Sequence, residues 1–372
     1  KIYNIDFFSS EATNILNELK PSIGFINPPY GGKDNKTNPT KKEIQFLERM
    51  LDNVSRYGII IAPLSTFFKD ETERSRILSK HTLKCVLNMP SELFQPNAST
   101  HTAIAVFETN LPHDDKEVIF YELNDDGFVL SKNRGRTDVF NKWNRKKKDL
   151  FEKLSNPLKF SDGINLVYKS VNSDDEWILQ AHKKNDFSKL TEKDFIDTIK
   201  KNIIFNIKNE LNLIFSNIDE LSLMEIFNKN NINNDSIDKN KLDLFEKVKW
   251  QEFKLSDIFE IEKGERLIEA ERVEGSTPLI TASAVNNGIT SFIDYDTFSS
   301  KKKIFDNKIT IDMFGSVFYH NYSYFSDDNI HTLLLKDTNK DKLNEINQIF
   351  LTTILKQLSS KYGYGRQVRI QR

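Results

Sequence analysis

The chain has 372 residues, too many for one ordinary hydrophobic core, so two or more domains are expected. Its 53 lysines and arginines nearly balance 54 acidic residues, a net charge of −1 that alone argues neither for nor against a nucleic-acid partner. One cysteine, Cys85, excludes an internal disulfide, the six histidines are not at metal-ligand spacing, and no apolar run approaches a membrane span; a cytoplasmic protein without metal or membrane partner is expected. In chain order, Ile2-Tyr3-Asn4-Ile5 runs into Asp6, and Ile23-Gly24-Phe25-Ile26 reads as a buried strand released by Gly31-Gly32. Between them lies Asn27-Pro28-Pro29-Tyr30, at the carboxyl end of a strand, where open α/β sheets bind ligands. Two prolines stiffen this loop and hold Asn27 extended.

Such a loop suits methylation of an amino group conjugated to an aromatic ring. The nitrogen lone pair is delocalised until its N–H groups are held, and the Asn27 side-chain oxygen and the Pro28 carbonyl can each accept one hydrogen bond. Tyr30 can stack on the ring. The bland alternative is that Pro28 and Pro29 end a strand and Tyr30 packs on a neighbour. Apolar residues at 46, 47, 50, 51 and 54 have helical spacing, Gly58–Pro63 reads as the next parallel strand, and Ser65–Ser79 as its crossover helix. Leu83–Pro90 is a further strand, Ser91–Asn97 a loop carrying Phe94, and Thr102–Phe107 an apolar run. Val118–Leu123 looks like an antiparallel strand before the turn Asp125-Asp126-Gly127.

From Asp6 to about Thr109 the chain resembles the second half of the catalytic domain of gamma-class DNA adenine amino-methyltransferases, those of Type I and Type IIG restriction-modification systems. The resemblance implies S-adenosylmethionine as cofactor, with Asp6 accepting from its adenine amino group, Phe46 touching its adenine ring, and Asn27 at the reacting centre. It implies that Phe94 stacks on an adenine extruded from the duplex, forming with Tyr30 an aromatic clamp. Taken alone, Phe46 is a core residue and Phe94 a loop aromatic over the sheet end. The family's glycine-rich cofactor loop is missing: none of the 13 glycines precedes Gly24. A piece of a longer enzyme, inactive or nearly so by itself, is therefore expected.

Charge distribution favours double-stranded DNA as partner. Lys132, Arg134, Arg136, Lys142, Arg145, Lys146, Lys147 and Lys148 face only Asp138 between residues 132 and 148, and Lys361, Arg366, Arg369 and Arg372 crowd the last twelve residues. Phe195, Ile199, Ile203 and Ile207 recur at helical spacing, prolonged by Leu211, Leu213, Ile214 and Ile218, and Asn228–Asn234 with Asn240 reads as a polar linker. From Lys249 the style changes to short strands around Asn286-Asn287-Gly288, a longer pair over Ile309–His320 and a helix over Leu343–Leu358. Pro278–Ser283, Ile311–His320, Asp327-Asp328-Asn329-Ile330 and Tyr364-Gly365-Arg366-Gln367 resemble, in that order, a target recognition domain of Type I specificity subunits.

The expected fold is therefore α/β. Residues 1–130 form a partial doubly wound, Rossmann-like methyltransferase sheet, 131–248 a helical connector, and 249–372 an α+β target recognition domain. Lys361, Arg366, Gln367 and Arg369 are the candidate DNA contacts, since Arg and Gln can read guanine and adenine edges. The expected activity is site-specific N6-adenine methylation, with specificity or restriction subunits of the same system as further partners. A non-catalytic DNA-binding specificity module and an amino-methyltransferase acting on protein glutamine or RNA remain alternatives, and no Asp…Glu-x-Lys cluster points to a nuclease.

Overall fold

The computed structural model describes residues 1–31, 33–35, 38–95, 100–131, 135–185, 187, 190–216, 253–299, 302–336, 344–362 and 366–368. The chain divides into two compact units between Asn185 and Asp186.

The first unit opens with helix α1 (Ser10–Leu19), whose N-terminus is capped by Ser9 accepting from the Ala12 amide at 3.1 Å. Ile2–Ile5 is not a strand: Ile2 is 97% exposed, and Asp6 lies in the turn leading into α1. Strand β1 (Ile23–Ile26) follows, then a hairpin of β2 (Lys33–Asn35) and β3 (Asn38–Lys41), helix α2 (Lys42–Asp52), β4 (Tyr57–Pro63), α3 (Glu71–Leu78), β5 (Thr82–Asn88), β6 (Thr102–Glu108) and β7 (Glu117–Glu122). The helix expected over Ser65–Ser79 is broken. Leu64–Phe67 forms a 3-10 turn that buries Phe67 and Phe68 before α3 begins.

Six strands make one mixed sheet in the order β1-β4-β6-β5-β7-β10, where β10 is Leu166–Ser170. β1 runs parallel to β4, and β5 parallel to β7. β6 is antiparallel to both of its neighbours, β4 and β5. Val118–Leu123 is thus not the reversed strand. The reversal falls at Thr102–Glu108, because the link from β5 contains no helix among its described residues to carry the chain across for a parallel return.

Helix α2 closes one face of this sheet. Its Ile44, Leu47, Met50 and Leu51 are buried with Ile60, Ala62, Ala103, Ala105 and Phe107, each large side chain contributing roughly 1.5–3 kcal/mol of burial. Gly24 and Gly58 permit the close approach: a Cβ at Gly58 would meet Leu51 at 2.4 Å, and one at Gly24 would meet Met50 at 2.7 Å.

The expected boundary at residue 130 does not coincide with the packing. β8 (Val129–Ser131) and β9 (Gly135–Thr137) form a hairpin, α4 (Trp143–Ser155) and α5 (Pro157–Phe160) follow, and β10 joins the sheet against β7. Trp177, Ile178 and Leu179, the last opening α6 (Leu179–His182), are fully buried in the first core. Residues 131–185 therefore belong to the first unit, because their apolar side chains complete its core.

In the second unit, α7 (Glu192–Glu210) starts at a capping box between Thr191 and Asp194. Its buried residues are Thr198, Ile204, Phe205 and Lys208, whereas Ile199, Ile203 and Ile207 are 42%, 36% and 43% exposed, so the expected apolar face is not the buried one. The sheet order is β11-β16-β14-β15-β12-β13, from β11 (Phe259–Lys263), β12 (Glu274–Ile280), β13 (Ile289–Ile293), β14 (Ile304–Asp312), β15 (Val317–Ser326) and β16 (Ile330–Leu335). A helix over Glu345–Leu355, capped by Asn344, continues into a 3-10 turn at Lys356–Lys361. The expected polar linker at Asn228–Asn240 lies outside the described residues.

His320 is buried in this second sheet, sharing hydrogen bonds with Thr310 Oγ1 and the Tyr322 hydroxyl, both at 2.8 Å. Burial pushes its imidazole from the ordinary 6.5 down to about 3. The unfolded chain therefore takes up this proton as pH falls below 6.5, whereas the folded domain refuses it until about pH 3. Stability is full above that window and falls within it by about 1.4 kcal/mol per pH unit. Urea midpoints between pH 6 and 4 should fall more steeply for wild type than for His320→Gln; parallel slopes would remove His320 as the cause.

Candidate active site

β1 delivers Asn27 to the carboxyl edge of the sheet, leaving Asn27 exposed, Pro28 buried and Tyr30 half-buried. The Tyr30 hydroxyl donates to Asn27 Oδ1 at 2.8 Å, so the loop closes on itself through the atom proposed to receive a substrate N–H. Burial, and secondarily the Glu43 carboxylate, holds the Tyr30 phenol above its ordinary value, so the hydroxyl keeps its proton. The loop after β5 brings Phe94 edge-on to Tyr30, with ring centroids 6.2 Å apart and planes at 87°. Tyr30 and Phe94, remote in sequence, thus meet beside Asn27. They touch each other as an edge-to-face pair rather than as two parallel walls.

Glu43, which sequence reasoning missed, underlies this loop. Its Oε1 accepts the Gly31 amide at 2.6 Å, while its Oε2 is buried without a hydrogen-bond partner among the described residues. An acid in the first turn of a helix is so ordinary that nothing in the sequence marks this one.

Phe46 lies one turn further along α2, in an aromatic cluster. It stacks on Phe7 at 5.4 Å and 15° and meets Phe8 edge-on at 4.8 Å. The Arg49 guanidinium lies 5.3 Å from the Phe7 ring and 5.4 Å from the Phe8 ring, and donates to the Phe7 carbonyl and to Thr13 Oγ1, both at 2.8 Å. Asp6 immediately precedes this cluster, exposed, with Oδ1 accepting the Phe8 amide at 3.0 Å. Asp6 thus presents an exposed carboxylate that can accept an N–H, beside aromatic rings that can meet a planar heterocycle. Phe7, the aromatic next to Asp6, was not singled out from the sequence and completes this aromatic cluster.

Not every basic residue is available for phosphate. Arg136 is half-buried and paired with Asp126 at 2.5 Å, and Lys146 bonds Asp125 at 2.8 Å, whereas Lys142, Arg145, Lys147 and Lys148 are exposed. Lys132 and Arg134 lie outside the described residues. In the second unit, Lys361, Tyr362 and Arg366 are drawn together. The Arg366 guanidinium lies 4.9 Å from the Tyr362 ring and donates to the Lys361 carbonyl at 3.2 Å. This segment packs on the β14–β15 turn: Val368 N donates to Met313 O at 2.9 Å, and a Cβ at Gly315, whose φ is +90°, would meet Ser359 at 2.9 Å. Gln367 is half-buried next to Arg366, and Arg369 lies outside the described residues.

The N-6 DNA methylase profile matches residues 24–202, and the type I restriction modification DNA specificity domain matches residues 247–372. Two curated relatives come from Heyndrickxia coagulans. The specificity subunit S.BcgI of a type II restriction enzyme is 35% identical over 123 residues, covering 32% of this chain and 33% of the relative. The type II restriction enzyme and methyltransferase RM.BcgI is 27% identical over 207 residues, covering 52% of this chain and 32% of the relative. The chain thus spans about a third of the length of these curated relatives. Among solved structures, a type I methyltransferase subunit from Streptococcus thermophilus aligns at 16% identity and a TM-score of 0.33, covering 41% of this chain and 35% of that one. A type I S subunit from M. genitalium aligns at 18% and 0.27, covering 56% and 52%. Residues 24–202 are thus similar to the N-6 DNA methylases, and residues 247–372 to the type I restriction modification DNA specificity domains.

Proposed function

We propose that the protein methylates the N6 amino group of adenine at a specific site in double-stranded DNA, as the modifying and reading part of a cytoplasmic restriction-modification enzyme. The observation that carries this reading is Asn27 Oδ1 held at the sheet edge by the Tyr30 hydroxyl, with Phe94 closing on Tyr30. The Tyr30 hydroxyl holds this acceptor in place until an incoming N–H takes it over. On entry of an extruded adenine, Asn27 Oδ1 and the Pro28 carbonyl accept the two amino hydrogens, and the nitrogen lone pair is freed from the ring. Tyr30 and Phe94 supply stacking in place of what the base loses on leaving the duplex.

Asp6, Phe7 and Phe46 would hold the adenosyl end of S-adenosylmethionine, which supplies an electrophilic methyl group when bound. Residues 249–372 would choose the DNA sequence, with Lys361, Arg366, Gln367 and Arg369 contacting DNA. Other subunits of the same restriction-modification system are the proposed protein partners.

The test is to incubate the full-length protein with methyl-labelled S-adenosylmethionine and duplex DNA. N6-methyladenine at one sequence is expected; label on protein glutamine or RNA, or sequence-specific binding without any transfer, would overturn the proposal. Phe94→Ala is expected to weaken capture of the flipped base and lower methylation about tenfold, with affinity for the site unchanged within about twofold. Fluorescence of 2-aminopurine at the target position reads this directly. An unchanged signal would reduce Phe94 to packing.

A further inference from the structure

Glu43 is an odd choice for stability. The residue is 2% exposed, and one carboxylate oxygen is buried with no hydrogen-bond partner among the described residues. Leaving such an oxygen unpaired opposes folding, and a side chain without it would fill the position at lower cost. What the carboxylate does achieve is its 2.6 Å bond to the Gly31 amide, a short, charge-assisted contact on the residue directly after Tyr30.

Gly31 has φ +77°, and among the described residues nothing lies within 4 Å of where its Cβ would be. Glycine is thus needed there for chain direction rather than for space. The carboxylate pins that direction, and with it the backbone that aims Tyr30. The second tie on the loop is the hydrogen bond from Tyr30 to Asn27 Oδ1. That tie competes with a substrate N–H for the same oxygen, so it loosens when the loop most needs to be rigid. The Glu43 bond stands outside this exchange and persists through it. Glu43 is also three residues before Phe46 on α2, hence on the same helix face, so one helix registers the loop against the aromatic cluster next to Asp6.

We infer that Glu43 is a positioning residue for methyl transfer: by holding the Gly31 amide it keeps Asn27 and Tyr30 in place while the Tyr30 hydroxyl yields Asn27 Oδ1 to the incoming amine. The inference rests on the adenine-methylation reading above.

The experiment compares wild type, Glu43→Ala and Glu43→Gln in the full-length protein. Hydrogen exchange at the Gly31 amide, measured without DNA or methyl donor, reads the bond itself. Single-turnover methylation and KM for DNA read its use. Alanine should speed Gly31 exchange and cut kcat about 100-fold, the scale of a small misplacement at a reacting centre, with KM for DNA within about threefold. Glutamine keeps an acceptor for Gly31 and should restore slow exchange and a rate within about fivefold of wild type. If the alanine variant fails to fold, Glu43→Asp, one methylene too short to reach Gly31, takes its place. Faster exchange with unchanged kcat, or a glutamine variant as impaired as alanine, overturns the inference about Glu43 alone. Absence of adenine methylation by wild type overturns the functional reading as well.

Discussion

Asn27→Ala is expected to lower methyl transfer by at least about 100-fold, equivalent to roughly 2.7 kcal/mol, the scale measured when one preorganised partner of a developing charge is removed. The loss should lie in kcat, because the hydrogen bond from the amino group strengthens only as the nitrogen becomes tetrahedral. DNA affinity should remain within about twofold, since phosphate contacts and base reading supply it. Tyr30 would be left without the 2.8 Å acceptor it now uses, so a modest rise in loop mobility should accompany the loss. Single-turnover methylation beside a gel-shift titration separates the two effects. Near-wild-type turnover would end the assignment of Asn27 as the catalytic acceptor.

Replacing residues 249–372 with another specificity domain, joined near Asn240, is expected to redirect methylation to a new sequence while keeping the transfer rate. On the proposed function the site around Asn27 would meet only the extruded base, and discrimination would belong to the reader. Arg366→Ala tests one contact inside it. The guanidinium lies against Tyr362 and bonds the Lys361 carbonyl, so alanine removes an ordered charge at the edge of the β14–β15 turn. If Arg366 meets a base edge, a single position of the site relaxes, at a cost of roughly 1–3 kcal/mol; if it meets a phosphate, all sequences weaken alike and the salt slope falls by about one charge. Methylation-sensitive sequencing of a random-site library distinguishes these outcomes. An unchanged site after the domain exchange would place the reader on a partner subunit.

Strands β1, β4 and β5 were legible because short apolar runs stand between glycine, proline and charged residues. Their directions were not. Alternation of side chains is the same whichever way a strand runs, so Val118–Leu123 and Thr102–Phe107 could not be told apart by pattern. Trp177-Ile178-Leu179 escaped notice directly behind the acidic Asp174-Asp175-Glu176, which reads as solvated surface. On α7 both sides carry isoleucine or phenylalanine, and spacing alone cannot say that Ile204 and Phe205 face inward rather than Ile199 and Ile203. At the site, Asn27, Tyr30 and Phe94 were readable as loop residues at strand ends. Glu43 was not, because what distinguishes it is burial beneath a loop twelve residues away.

The position of β6 bears on synthesis at the ribosome. β4 and β5 never pair directly; each lies against β6, which follows both in the chain. A nascent chain that has emerged only through Asn88 therefore holds two strands with bare edges toward a neighbour not yet made, the arrangement most open to pairing with other chains. Only when Thr102–Glu108 inserts between them do both edges close, and the loop carrying Phe94, which joins β5 to β6, is then anchored at both ends. The joining of β4 to β5 through β6 and assembly of the aromatic pair at Asn27 are thus one late event, and a chaperone that shields those edges would also be guarding the candidate site.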